Sequence, residues 1–285
     1  MRNTYPYARK FIKKFLIFYK ISRKTIVLFQ CLCYNLPLDK RFVKVKYVKD
    51  GCLGMKTSFR DTLKAWFAKY KHGLLLLYVL IYLPWFHYLE KKVTIHFNVI
   101  HMAIDDYIPF IEFFIIPYFL WFGYVAFAVL YFFLKNKTDY YKLCAFLFTG
   151  MTIFLIVSTI YPNGHYLRPT TFARDNICVT LVKWLYQTDT ATNLFPSIHV
   201  YNSLGVHMAI MNSENFKNNK LVRRFSFVLM ASIILSTMFL KQHSVFDVIT
   251  AFIMAAVMYS VVYGRNWQKN EENVHDFSRA GSPDA

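Results

Sequence analysis

Acidic residues and cysteines are scarce in this chain, and each scarcity removes a class of protein. Sixteen Asp and Glu stand against 34 Lys and Arg, giving a formal charge of +18. That excess could suggest a nucleic-acid partner, but no DNA- or RNA-binding motif accompanies it, and none is expected. Much of the charge lies within residues 1–70 and in short stretches between apolar blocks. The five cysteines are Cys31, Cys33, Cys52, Cys144 and Cys178. Cys31 and Cys33 have the wrong spacing for a Cys-x-x-Cys pair, and no His follows at zinc-finger distance. Cys144 falls inside an apolar run and Cys178 is alone on its loop, so neither a disulfide framework nor structural zinc is expected. There is no internal repeat, and no clean apolar core followed by a cleavage site that would mark a signal peptide.

Apolar residues are abundant instead. They make up 56% of the chain, aromatics 19%, and the mean hydropathy is +0.28. They come in continuous blocks rather than in alternation, which points to helices and away from a barrel. A helix needs about 20 apolar residues to cross a hydrocarbon core. The blocks predict an all-α, polytopic membrane protein with a bundle of six transmembrane helices, at roughly 73–89, 108–134, 143–161, 195–212, 225–241 and 244–263. Residues 1–54 form a basic extension, 55–72 a cytoplasmic segment before the first helix, 73–264 the six-span body, and 265–285 a polar cytoplasmic tail. In the extension, Arg9, Lys10, Lys13, Lys14, Lys20, Arg23 and Lys24 interleave with Phe11, Phe15, Leu16 and Ile17. It reads either as an amphipathic helix on an anionic leaflet or as an upstream stretch before a start at Met55. Neither reading gives it chemistry.

Loop charge sets the orientation. Lys56, Arg60, Lys64, Lys69 and Lys71 precede the first apolar run, and basic flanks stay in the cytoplasm. Lys135, Lys137 and Lys142, then Lys217, Lys220, Arg223 and Arg224, then Arg265 and Lys269 fall in loops on the same side. Both termini are therefore expected inside, in a cell membrane. The longest connection, Tyr161 to Asn193, is expected outside, with a short amphipathic stretch around Val179 to Tyr186. Long loops of this kind often carry function.

Three short pieces converge on that outer side: Leu167-Arg168-Pro169, Phe195-Pro196-Ser197-Ile198-His199, and Lys241-Gln242-His243-Ser244-Val245-Phe246-Asp247. Pro196 suits the first turn of a helix, which places His199 close to the surface. Asp247 follows His243 by four residues, so the two share one helix face. A carboxylate there can hold one imidazole nitrogen and leave the other free to attack. Ionisable groups at membrane depth are expensive and mark function.

These residues resemble the type 2 phosphatidic acid phosphatase superfamily, with its Lys-x6-Arg-Pro, Pro-Ser-x-His and Ser-Arg-x5-His-x3-Asp motifs. The resemblance covers the body from about Gly73 to Gly264 and implies that family's six-helix bundle. Pro196-Ser197-Ile198-His199 and the His243–Asp247 pair match fully, and Arg168-Pro169 matches the end of the first motif. Two cations of the family pattern are missing. Tyr161 stands where the first-motif Lys falls, and Thr237 where the third-motif Arg falls. The weakened pattern is similar to a divergent branch that includes inositol-phosphotransferase and sphingolipid-synthase relatives.

The resemblance implies that His243 attacks phosphorus, Asp247 orients it, and His199 protonates the leaving oxygen. It also implies that Arg168, Ser197 and Lys241 bind phosphoryl oxygens. His165 and Tyr161 are candidate substrate contacts. No cofactor and no metal are implied, and the sequence offers no carboxylate cluster for a two-metal site. The partners are a lipid phosphate and the membrane. The expected activity is hydrolysis of a phosphomonoester or diphosphate lipid on the extracytoplasmic side. Alternatives are transfer of a phospho-headgroup and a non-catalytic role in lipid binding or transport. Among other polar residues, His207 reads as a core histidine, Asp105 and Asp106 as caps of the second span, and Glu112 has no evident role.

Overall fold

The computed structural model describes residues 70–93 and 96–264; the extension expected at 1–54, the segment 55–69 and the tail at 265–285 lie outside the described residues. The described chain is almost entirely helical. A 3-10 turn, Lys71–Tyr78, leads into α1, Val79–Lys92. A short β1, Asn98–Val99, and α2, Ala103–Tyr107, follow. After a 3-10 turn at Glu112–Phe114, α3 spans Ile115–Lys135 and α4 spans Lys137–Ile160. Then come β2 (Asn163–Gly164), α5 (Ile177–Thr188), α6 (Ile198–Asn212), α7 (Lys220–Phe239) and α8 (Val245–Val262). Among the described residues five stretches are long and apolar enough to cross a membrane: Lys71–Lys92, Glu112–Lys135, Lys137–Ile160, Lys220–Phe239 and Val245–Val262.

The expected fourth span is the one that departs from this pattern. α6 has 15 residues, about 22 Å of helix, which is short of a hydrocarbon core of about 30 Å. Its position explains its composition. α6 packs against α3, α4, α7 and α8, and Val200 to Val206 are buried without interruption. A helix sheathed by protein needs no lipid-facing apolar surface, so Asn202 and Ser203 are tolerated there, both buried. The surrounding helices show the opposite face. Leu80, Phe127 and Leu221 are exposed, as they must be where the neighbour is lipid.

Close packing between α4 and α6 is built from two reciprocal glycine contacts. A Cβ on Gly150 would lie 1.9 Å from the Tyr201 ring, and one on Gly205 would lie 2.5 Å from the Phe146 ring. Those two rings stack at 4.6 Å, and the Tyr201 hydroxyl donates to the Phe146 carbonyl at 2.9 Å. The glycines thus let two large side chains lie flat between helices and fix the height of α6 against α4.

At one end of the bundle, irregular segments are stitched together. β1 and β2 pair in parallel, Asn98 with Asn163 and Val99 with Gly164. α5, the expected amphipathic stretch, buries Cys178, Val182 and Leu185 against Ile115, Tyr118 and Leu240. Cys144 and Cys178 are both buried and unpaired. The loops rich in Lys and Arg lie at the opposite end. There Asp139 at the start of α4 accepts from Ser213, just after α6.

Candidate active site

His243 sits in the turn between α7 and α8, and that turn is closely specified. Lys241 has φ of 51°. Its N–H donates to Met238 O and that of Gln242 donates to Thr237 O, a left-handed helix stop of the Schellman type. Lys occupies the place usually taken by Gly, where the conformation costs about 1–2 kcal/mol. Two steps later Ser244 caps α8, and Asp247 closes the capping box by accepting from Ser244 N at 3.0 Å. The same oxygen, Oδ2, accepts from His243 Nδ1 at 3.3 Å. The carboxylate therefore fixes the tautomer, with the proton on Nδ1 and a lone pair on Nε2. Burial, and next to it the charge of Arg168, push His243 down to about 3, against a weaker opposing effect of the Leu194 carbonyl, so the resting ring is neutral.

His199, in the first turn of α6, brings its ring to 5.6 Å from that of His243, centroid to centroid. Tyr118 and Trp121 of α3 flank it at 4.7 and 4.4 Å. α6 and α8 start side by side, because Ser197 N donates to the Asp247 carbonyl at 3.3 Å. Ser197 is the N-cap of α6, its Oγ accepting from Val200 N at 3.4 Å, and it is fully buried. That leaves its hydroxyl proton free to donate. The approach to α6 is set by Asn163, whose Oδ1 accepts from the N–H groups of Leu194 and Phe195 at 2.8 and 3.0 Å. Its neighbour must be Gly164, since a Cβ there would meet the Ala191 carbonyl at 2.6 Å.

Arg168 and His165 reach the same turn from the long loop. His165 Nδ1 accepts from Leu167 N at 3.3 Å, so Nε2 carries the proton and donates to the Gln242 carbonyl at 3.0 Å. Burial holds His165 down at about 4, and it is neutral. The Arg168 guanidinium donates to the carbonyls of Asp189 and Thr190 at 2.7 and 2.8 Å, and to Gln242 Oε1 at 2.6 Å. It lies over the Tyr186 ring at 4.7 Å. Asp189 is pushed up to about 6, first by burial and then by Glu90.

Arg168, His165, Ser197, His199, His243 and Asp247 thus converge on one end of the bundle. Two expected residues do not join them. Lys241 is committed elsewhere, its ammonium donating to the Asp105 carbonyl at 2.6 Å, because the left-handed backbone at this residue precedes the turn to His243. Tyr161, the last residue before the loop, is half exposed, with no hydrogen bond to the group. Thr237, in the place of the family arginine, is buried within α7 and donates to Ile234 O. Asp105 and Asp106 do not cap the second span. Asp105 caps its own α2 through Met102 N and caps α8 through Ser244 and Val245, while Asp106 pairs with His101. Glu112 receives Arg174 and Asn176 and so anchors the start of α5. His207 donates to or accepts from Ser226 at 3.0 Å in the core.

Sequence reasoning gave no site role to Gln242, Asn163, Tyr118 and Trp121, and read Asp105 only as a helix cap. Only Gln242 carried a signal, being adjacent to His243. Among the described residues no group of three or more His, Cys, Asp or Glu is arranged to hold a metal.

No curated protein and no solved structure matches this chain. A family model does, and it covers the long loop from Tyr166 onward, His199, His243 and the helices that carry them. Residues 166–271 of this chain match the model of the PAP2 superfamily.

Proposed function

We propose that this protein is a membrane lipid-phosphate phosphatase working through a phosphohistidine on His243, with its site on the extracytoplasmic face. The observation that carries the reading is the arrangement of three residues. A neutral His243 is held by Asp247 at 3.3 Å, with the His199 ring 5.6 Å away. Nε2 of His243 attacks phosphorus, and Asp247 stabilises the imidazolium that results. His199 gives a proton to the leaving oxygen and then takes one from the attacking water, help worth about 10²–10⁴-fold. Arg168 and the Ser197 hydroxyl supply donors for the phosphoryl oxygens, where developing charge is stabilised most. The site lies at the bundle end opposite the basic loops, which supports an outward-facing site in a cell membrane.

A second reading is transfer of the phosphoryl group, with its headgroup, to a lipid alcohol. It is favoured by the aromatic walls around His199, because Tyr118 and Trp121 restrict water where the acceptor must be deprotonated. One experiment separates the two and tests both. Purified protein is offered a panel of lipid phosphates and diesters, and released phosphate and new lipid products are both measured. Free phosphate alone supports hydrolysis, a new phospholipid supports transfer, and neither product from any substrate opposes both.

A further inference from the structure

Glu90, in the last turn of α1, reaches the loop that holds Arg168, although α1 lies outside the matched residues 166–271. The Thr190 hydroxyl donates to its carboxylate at 2.8 Å, Thr190 N at 3.4 Å and Asn193 Nδ2 at 3.5 Å. The carbonyls of Thr190 and Asp189 accept in turn from the Arg168 guanidinium. The Asp189 carboxylate accepts from the Tyr118 hydroxyl at 3.5 Å, and the Tyr118 ring stacks on His199. Two acids and one arginine thus meet on one loop beside the histidines. Among the described residues neither acid forms a salt bridge.

Charge disfavours this arrangement when both acids are ionised. Two carboxylates outweigh one guanidinium, in a place that must receive a phosphoryl anion. Like charges withdrawn from water resist joint ionisation, and a single proton brings the cluster to neutrality. Resting on the reading of this end of the bundle as a phosphoryl site, we propose that Glu90 and Asp189 are positioning residues acting through Arg168, and that the pair takes up one proton when a phosphoryl anion binds. Glu90 fixes the carbonyls that orient the guanidinium, and the proton leaves the positive charge of Arg168 free to meet the anion. Burial, and then Glu90, already hold Asp189 up at about 6, so the uptake falls near neutral pH. The other groups around the pair are Tyr82 on α1, Tyr118 on α3 and Tyr186 on α5, tyrosines that carry no charge near neutral pH. His87 lies three residues before Glu90 on α1, and Lys91 and Lys92 after it are exposed.

The test measures the affinity of the full chain in detergent for inorganic phosphate between about pH 5.5 and 8, in the parent, Glu90→Gln and Asp189→Asn. Each amide keeps the size of the acid it replaces and removes one charge, so no proton is needed. Phosphate titrates in this range too, but equally for all three proteins, so the ratio of affinities isolates the pair. At the alkaline end both variants should bind about 5- to 50-fold more tightly than the parent, a coupling of ordinary size. The gap should close at the acid end, where the parent already holds its proton. Glu90→Ala, which also lacks the acceptor for Thr190, should bind less tightly than Glu90→Gln throughout. Equal affinity in those two would remove the positioning role. Parental or weaker affinity of either amide variant at the alkaline end would reduce the acids to packing and overturn the proposal. A gap that persists to the acid end would place the proton elsewhere, on His87 for one, and overturn it as well. A parent that binds no phosphate at any pH would sink the phosphoryl reading itself, an outcome distinct from all of these.

Discussion

The carboxylate of Asp105 accepts the hydroxyl of Ser244 at 2.5 Å, across 139 positions of sequence. The same carboxylate accepts from Val245 N at 2.8 Å, and the Asp105 carbonyl accepts from Lys241. The residues on both sides of His243 are therefore tied to one buried acid at a helix N-terminus, where negative charge is favoured. Asp105→Ala removes the acceptor of three donors, Met102 N, Ser244 Oγ and Val245 N, at about 1–3 kcal/mol for each one left buried and unpaired. Turnover should fall with the melting temperature, whereas Asp106→Ala, on an exposed side chain, should change neither. Thermal unfolding and activity of the two variants side by side check this; equal effects would remove the role assigned to Asp105.

The contact between Gly150 and Tyr201 makes a second expectation. Gly150→Ala drives a methyl group into the Tyr201 ring and should destabilise by about 1–3 kcal/mol, the range for overpacking. Tyr201→Ala alone leaves a cavity and should cost about 3–5 kcal/mol. The double variant should cost less than the sum, because each change relieves the other. Additive effects in the melting curves would mean that the helices shift apart instead.

Lys241 should tolerate replacement better than its position beside the His243 turn suggests. Lys241→Gly relieves the left-handed backbone, by about 1–2 kcal/mol, while losing the bond to Asp105. The two effects oppose, so stability should change by less than about 1 kcal/mol, a net hydrogen bond being of similar size. Turnover should stay within a few-fold. A hundredfold loss with intact folding would place the ammonium on the phosphoryl group.

Acid should destabilise the folded protein before any carboxylate of ordinary strength is protonated. His165 falls from 6.5 to about 4 on folding, and His243 from 6.5 to about 3. Between pH 6.5 and 4 the unfolded chain binds more protons at both rings, so stability is lost as pH falls through that window. Asp189 acts in the opposite sense. Raised from 3.8 to about 6, it favours the folded state as pH drops over its own narrower window. Two histidines outweigh one aspartate, giving a net loss on the order of 1 kcal/mol per pH unit. The melting temperature in detergent should drop from pH 6.5 to 4, less steeply in His165→Gln. A flat profile would mean that these rings are not buried neutral.

Much of the site could be read before the fold was known, because its parts are local. His243 and Asp247 meet by helix spacing alone, and Pro196 and Ser197 mark a helix start that presents His199. The amphipathic period around Val179 to Tyr186 is likewise local, and α5 lies there. What escaped depends on distance in sequence. Asn163 holds Leu194 and Phe195 across 31 and 32 positions, and Asp105 reaches Ser244 across 139. No spacing rule connects such pairs. Lys241 looked like a phosphate ligand because charge and adjacency are visible in a sequence and a positive φ is not. α6 proved shorter than a lipid-facing span because hydropathy cannot distinguish a helix against lipid from one enclosed by other helices.

The phosphohistidine proposed on His243 is tested most directly by trapping it. Protein mixed with a ³²P-labelled ester bearing a good leaving group is quenched in alkali and separated from free label. The parent protein and His199→Ala should both carry acid-labile ³²P, since such a leaving group needs no proton, and His199→Ala should release it slowly. His243→Ala should carry none. Label retained on His243→Ala and absent from His199→Ala would contradict the assignment and exchange the roles of the two histidines.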